Sequence, residues 1–295
     1  MKVISLTVFL FFAAISSTYI SAQDIAHEFS SYFGGGLGSL RYTLPVGDIS
    51  SGIGGDFGIG YTLFRLNSNV AETGTIQHSK WGIHTGIGFS LYNAKTTIDN
   101  NQTPIVTASL KDYDGDDFDM RTTLFGYKET QRALFLNIPV MGQYHINRYY
   151  FMGGLKFGIP ISGKFSPQYD ASNSRQIFNE GYYPAYGSTL DKPKFAGYGE
   201  FSGNGFSDDP IKFNASVMLA LEAGINWRIN TNLTLYAGAY FDAGLNNIAK
   251  NADQPFMNFT PGNEDNFTTN SVLSSFEDKV RTMAVGVKVR IGYSR

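Results

Sequence analysis

Residues 281–293 read RTMAVGVKVRIGY. Taken alternately, Met283, Val285, Val287, Val289, Ile291 and Tyr293 form one row, and Thr282, Ala284, Gly286, Lys288, Arg290 and Gly292 form the other. Successive side chains of a strand point to opposite faces. The segment therefore presents one wholly apolar wall and one that is small or cationic.

Working outward, the same alternation recurs along the chain. Leu233, Leu235, Ala237, Ala239, Phe241 and Leu245 oppose Thr234, Tyr236, Gly238, Tyr240, Asp242 and Asn246. Before them, Phe213, Ala215, Val217, Leu219, Leu221, Ala223, Ile225 and Trp227 oppose a row that includes Asn214, Ser216, Glu222, Asn226 and Arg228. Residues 149–165 set Phe151, Leu155, Phe157, Ile159 and Ile161 against Lys156, Pro160, Ser162 and Lys164. Residues 133–146 set Leu134, Leu136, Ile138, Val140 and Tyr144 against Asn137, Pro139, Gln143 and His145, with a start as early as Arg121 allowed. Two further segments, 81–94 and 52–64, carry Trp81, Ile83, Ile87, Phe89 and Leu91, and Ile53, Phe57, Ile59, Tyr61 and Leu63, on their apolar rows. A glycine-rich segment over 32–41 completes the set, after a lead that includes His27 and Glu28. Proline removes a ladder donor, so bulges are expected at Pro139 and Pro160.

The pattern predicts eight strands whose connections alternate in length. Asn147-Arg148 and Asn230-Thr231-Asn232 are complete turns, whereas the stretches near 99–120, 166–210 and 247–278 are long and polar. Short turns at one end and long loops at the other are the asymmetry of an up-and-down antiparallel β-barrel crossing a membrane, with an even strand count returning both termini to one side. A ten-stranded variant using part of 186–202 is the alternative. Past the N-terminal region no apolar run is long enough for a spanning helix. Charged residues make up 16% and aromatic residues 15%, and mean hydropathy is -0.15. Such a composition suits a chain whose membrane signal is weak in each segment. The polar rows are mostly Gly, Ser, Asn and Thr, a poor coat against water but a good crowded interior. The apolar rows are therefore expected to face lipid, with Trp81, Tyr144, Trp227 and Tyr293 at the interfaces.

At the front, Lys2 precedes an apolar run over 3–15 and a region ending Ser21-Ala22, the layout of a secretory signal cut after Ala22. This leaves 23–295 as the barrel domain. The chain has no cysteine, hence neither disulfides nor lipidation. Its formal charge is -2, or -3 once Lys2 is removed, and gives no electrostatic case for nucleic-acid binding.

Segments such as WGIHTGIGFSLYNAK (81–95), LFLNIPVMGQY (134–144), FGIPISGK (157–164), LYAGAYFDAGLNNI (235–248) and MAVGVKVRIG (283–292) resemble the outer-membrane β-barrel domains of Bacteroidetes, including PorT-like proteins and the barrel half of OmpA-like proteins. The row Val285, Val287, Val289, Ile291 and Tyr293 resembles the terminal insertion signal of such barrels, apart from the trailing Ser294-Arg295. The resemblance implies location in the outer membrane of a Gram-negative bacterium. It implies outer-membrane lipid and the barrel-assembly machinery as partners, and a role in protein secretion as one possible activity.

The candidate interior residues are Asp56, His84, Lys156, Glu222, Arg228, Asp242, Lys288 and Arg290, which mix both signs. An eight-stranded barrel is filled by its own side chains, so these are expected to pair and close the lumen. A small-solute channel is the alternative. The loop KDYDGDDFD (111–119) has the oxygen density for calcium, but Gly115 is misplaced for an EF-hand, and a solvated acidic loop is expected. Of the four histidines, His84 and His145 fall near the periplasmic rim, His78 in a connection and His27 at the start, so no catalytic site is expected. Neither metal nor cofactor is expected. The long loops, with FNEGYYPAYG (178–187) and PFMNFTPGN (255–263), suit recognition of an extracellular protein or glycan, and equally packing onto one another.

Overall fold

A strand that crosses hydrocarbon must pair on both edges, and this chain achieves it by pairing its last strand with its first. The computed structural model describes residues 25–65, 81–98, 104–169, 176–202, 209–250, 255–259, 267–276 and 279–294. The leader assigned to 1–22 and His78 lie outside the described residues. In chain order the strands are β1 (Ile25–Arg41), β2 (Asp48–Arg65), β3 (Trp81–Ile98), β4 (Ile105–Lys111), β5 (Asp117–Leu124), β6 (Tyr127–Ile146), β7 (Tyr149–Tyr169), β8 (Ile177–Tyr183), β9 (Ser188–Leu190), β10 (Gly199–Phe201), β11 (Asp209–Pro210), β12 (Ser216–Arg228), β13 (Leu233–Gly244), β14 (Met257–Phe259), β15 (Phe267–Thr269) and β16 (Arg281–Ser294). Among the described residues a short α-helix, α1 (Val272–Ser275), precedes β16, and a 3-10 turn spans Lys194–Ala196.

Eight of these close into an antiparallel ring in the order β1-β2-β3-β6-β7-β12-β13-β16 and back to β1. The eight-strand reading holds. The segments at 188–190 and 199–201 are strands, but they join a separate sheet, β10-β8-β5-β4 with β9 against β8, formed within the long connections. Those connections read as loops because their strands are short and polar. Arg121 is in β5, and β6 begins only at Tyr127, after Gly126 takes a positive φ of 63°.

The apolar rows face outward. Phe33, Ile53, Phe57, Trp81, Ile87, Val140, Phe151, Val287 and Ile291 are exposed, whereas Asp56, Asn137, Lys156, Glu222 and Arg290 are buried. On β3 the outward apolar row runs from Trp81 to Leu91 and then becomes Asn93, Lys95 and Thr97, so the barrel rises above its apolar band. Trp81, Tyr144, Tyr149, Trp227 and Tyr293 ring the end with the short turns, and the Trp81 and Tyr144 rings lie 4.4 Å apart. We call this the turn end and the opposite one the loop end.

The bulge expected at Pro160 is present, and four other local expectations are corrected. β1 starts at Ile25, so His27 and Glu28 belong to the wall. At Pro160 the ladder slips, pairing Leu134 with Ser162 and Phe135 with Pro160, and Ile161 bulges out. Beyond that bulge Ser162 and Lys164 are exposed rather than inward. At Pro139 the β6–β7 register continues unbroken, while the neighbouring pairs are missing from the β3–β6 ladder. Phe213 also leaves its predicted row, because β12 begins at Ser216 and the chain before it folds inward.

Gly54, Gly36 and Gly286 sit side by side across β2, β1 and β16. A Cβ on Gly36 would meet the Gly286 Cα at 2.5 Å, and backbone cannot swing aside as a side chain can. Gly36→Val is expected to destabilise the barrel by about 1–3 kcal/mol through overpacking, read as a lower urea midpoint of the folded, heat-modifiable gel band.

Candidate functional site

The interior is built by the inward rows of all eight wall strands, and it falls into three layers. At mid-height, Lys288 Nζ lies 3.0 Å from Asp56 Oδ2 and 3.2 Å from Glu222 Oε2. Lys156 pairs with Asp242. The Tyr150 hydroxyl donates to Glu222 Oε1 at 3.0 Å, and the Lys288 ammonium also sits over the rings of Tyr32 and Tyr240 at 4.9 and 4.7 Å. Glycine makes this crowding possible: a Cβ on Gly34, opposite Lys288, would fall on Asp56 Oδ1.

Arg290, 2% exposed, is held chiefly by ring faces. Its guanidinium carbon is 4.3 Å from the Tyr236 centroid and 5.4 Å from that of Tyr150, and Nη1 donates to Gln143 Oε1 at 3.4 Å. Below it, Tyr236 donates to Glu28 Oε2 at 2.8 Å and Ser294 to the same oxygen at 3.4 Å. His84 is buried with Nδ1 2.8 Å from Thr62 Oγ1. His145 lies 2.6 Å from the Gln143 amide nitrogen, and its ring meets Phe64 edge-on at 5.5 Å.

Seven of the eight predicted interior residues are thus brought inside: Asp56, His84, Lys156, Glu222, Asp242, Lys288 and Arg290. Arg228 is not. It is the last residue of β12 and exposed at the turn-end rim, because alternation fixes a residue's face but not how far the lumen extends. Val285, Val287, Val289, Ile291 and Tyr293 are all exposed on the outer wall.

Among the described residues, Glu28 and Glu129 are two further interior carboxylates that the predicted rows do not include. Both were legible as alternation had the strands been started earlier, since Ala26, Glu28 and Ser30, and Tyr127, Glu129 and Gln131, form inward rows. Glu129 is fully buried near the loop end, above the apolar band. Its Oε1 accepts from Ser271 Oγ at 2.5 Å and Gln131 Nε2 at 2.8 Å. Its Oε2 accepts from the Tyr127 hydroxyl and from the Val272 amide at 3.1 Å. Between Glu129 and the ionic layer, Leu40, Tyr92, Phe135, Phe165, Phe213 and Met218 pack with Ile248, Leu273 and Val280 from the long connections.

Further described residues of the long connections form a folded head. Phe118, Tyr183 and Tyr198 cluster in one place, and Leu124, Ile177, Phe201, Phe256 and Met257 in another. Arg121 lies over Tyr182 at 3.7 Å. The aspartates of 112–119 build their own turn: Asp112 Oδ1 accepts from the amides of Asp114 and Asp116 at 3.0 and 2.9 Å, and Lys111 pairs with Asp117 at 2.7 Å. The Tyr186 hydroxyl donates to Asp116 Oδ2 at 2.7 Å, tying two hairpin tips together, and that bond raises the tyrosine's pKa. Tyr113, Tyr186, Leu190 and Phe195 stay exposed.

Removing one partner of a buried ionic cluster strands the other. Glu222→Leu is expected to lower stability by about 2–3 kcal/mol, since Tyr150 loses its acceptor and Lys288 loses one of the two carboxylates it contacts. Glu222→Leu/Lys288→Met should recover part of that loss, and Arg228→Ala should change stability by less than about 0.5 kcal/mol. Urea midpoints in one detergent compare all three.

Comparison with known proteins places these features. A family model described as "Outer membrane protein beta-barrel domain" matches residues 33–250. No curated protein matches the sequence. Among solved structures, the attachment invasion locus protein Ail of Yersinia pestis, in complex with the heparin analogue sucrose octasulfate, is similar over 91% of this chain and 99% of its own, at 10% identity and a TM-score of 0.32. Neisserial surface protein A is similar over 90% and 96%, at 9% identity and a TM-score of 0.30. The outer membrane protease OmpT of Escherichia coli is similar over 95% and 100%, at 10% identity and a TM-score of 0.34. With the closed antiparallel ring and its apolar exterior, the family match establishes that this chain is an outer-membrane protein of the β-barrel domain family.

Proposed function

We propose that the protein is a closed, non-enzymatic barrel whose working part is the folded head, turned to the cell exterior for a structural or surface-interaction role. The observation that carries this reading is the filling of the interior. An apolar layer around Phe135, Met218 and Leu273 lies above the Lys288 ionic layer, and Tyr150, Tyr236 and Met152 pack below it. Side chains that pair with one another in this way support a lumen closed, among the described residues, to a continuous aqueous path. The tip of the head sets exposed Tyr113 and Tyr186 among carboxylates, which suits contact with a protein or glycan. The Val285–Tyr293 row serves as the insertion signal read by the assembly machinery. His84 and His145 lie toward the turn end, away from where an external substrate would arrive.

The second reading, a small-solute channel, draws support from the charges at mid-height. A role in protein secretion rests on the PorT-like resemblance alone. Single-channel recording in a planar bilayer, with folding checked by heat-modifiable gel mobility, separates the first two. Silence is expected, and steady openings would replace the closed barrel with a channel. For the surface role, cells displaying the protein are assayed on immobilised glycan and protein panels. The triple change Tyr113→Ala, Tyr186→Ala, Phe195→Ala should cut retention at least about tenfold, while equal retention would move the working surface elsewhere.

A further inference from the structure

A carboxylate buried without a counter-cation is costly unless donors surround it, and Glu129 has four. Two come from its own strand, Tyr127 and Gln131. The other two, the Ser271 hydroxyl and the Val272 amide, come from the segment that carries α1. Ser271 works twice, since its oxygen also accepts from the Leu273 amide at 3.2 Å and so caps the helix that Glu129 grips. Gln131 continues the network to Thr96 on β3 at 3.0 Å, and the Tyr42 hydroxyl, from the β1–β2 connection, reaches the same threonine at 2.5 Å. Directly past this grip, Leu273 enters the apolar layer beside Tyr92 and Phe135, and Val280 follows from the far side of α1.

The segment is therefore a stopper held by its polar contacts to Glu129 and by apolar ones, Leu273 in the layer below and Val272 and Phe276 in the cluster around Phe256. Apolar contacts are non-directional and would permit sliding or re-entry, whereas the two hydrogen bonds from Ser271 and Val272 to one oriented carboxylate fix a single pose. We infer that Glu129 is a latch: it holds residues 271–276 in the loop-end mouth of the barrel, and breaking its bonds to Ser271 and Val272 lets that segment lift and admit water to the ionic layer below. The inference deepens the closed-lumen part of the proposed function, on which it rests, and requires nothing of the surface role.

The chain has no cysteine, so Ser90→Cys gives a single thiol beneath the apolar layer, where Ser90 is buried and accepts from the Asn137 amide at 2.6 Å. Whole cells displaying S90C are treated with a membrane-impermeant maleimide, and labelling is followed over time. S90C alone should label slowly. Rapid labelling of S90C alone would remove the closed lumen itself, and the latch with it. S90C/E129A should label at least about tenfold faster while keeping its heat-modifiable folded band, because the loss of the two bonds to Ser271 and Val272 shifts the open population by that order. S90C/S271A removes one donor and leaves the barrel wall untouched; it should label faster too, and less than additively with E129A. Unchanged labelling of a folded E129A would overturn the latch. If E129A does not fold, S271A decides, and unchanged labelling there would likewise overturn it.

Discussion

In hydrocarbon an unpaired backbone amide or carbonyl has nowhere to turn, and the rest of this structure follows from that constraint. Pairing Glu28–Arg41 of β1 with Arg281–Ser294 of β16 closes the ring and removes both edges. Closure then fixes what each row of side chains must do. Phe57, Ile87, Val287 and Ile291 meet lipid, and Asp56, Glu222 and Lys288 meet one another.

Closure also sets the width of the interior. An eight-stranded barrel is about as wide as its inward side chains can fill, and several large inward groups lie beside a glycine. The glycines at 34, 58 and 88 yield space to Asp56 and to the Tyr32 hydroxyl. Lys288 bridging two carboxylates and Arg290 resting on tyrosine faces are what fits when cations enter so narrow a space. Arginine tolerates ring contacts because its guanidinium is planar and weakly hydrated, whereas a lysine ammonium is served better by direct carboxylates.

Above the apolar band the constraint relaxes and the chain spends its long connections on a second layer of structure. Tyr183 stacks on Phe118, and Phe256 and Met257 pack against Ile98 and Leu124. Aromatic residues that looked available for recognition are in this way divided between a core and a surface. Tyr113 and Tyr186 remain outside, and Tyr183, Tyr198 and Phe256 do not.

The sequence alone determined the strand count, the outward face and most of the ionic layer. Period-two alternation is local, and a barrel wall keeps it almost without interruption from Trp81 to Leu91 or from Leu219 to Trp227. It could even have yielded Glu28 and Glu129, since Ala26-Glu28-Ser30 and Tyr127-Glu129-Gln131 continue the inward rows. Local alternation carries no depth, and so Arg228 was placed inside although β12 ends there at the rim. It also fails at a bulge, where one extra residue at Ile161 turns Ser162 and Lys164 outward. The tertiary structure alone decided which carboxylate meets which cation, how the loops pair into a sheet, and that Glu129 finds Ser271 and Val272 some 142 and 143 residues away. Contacts at such separation exist only where the closed ring brings distant segments together, and no local pattern encodes them.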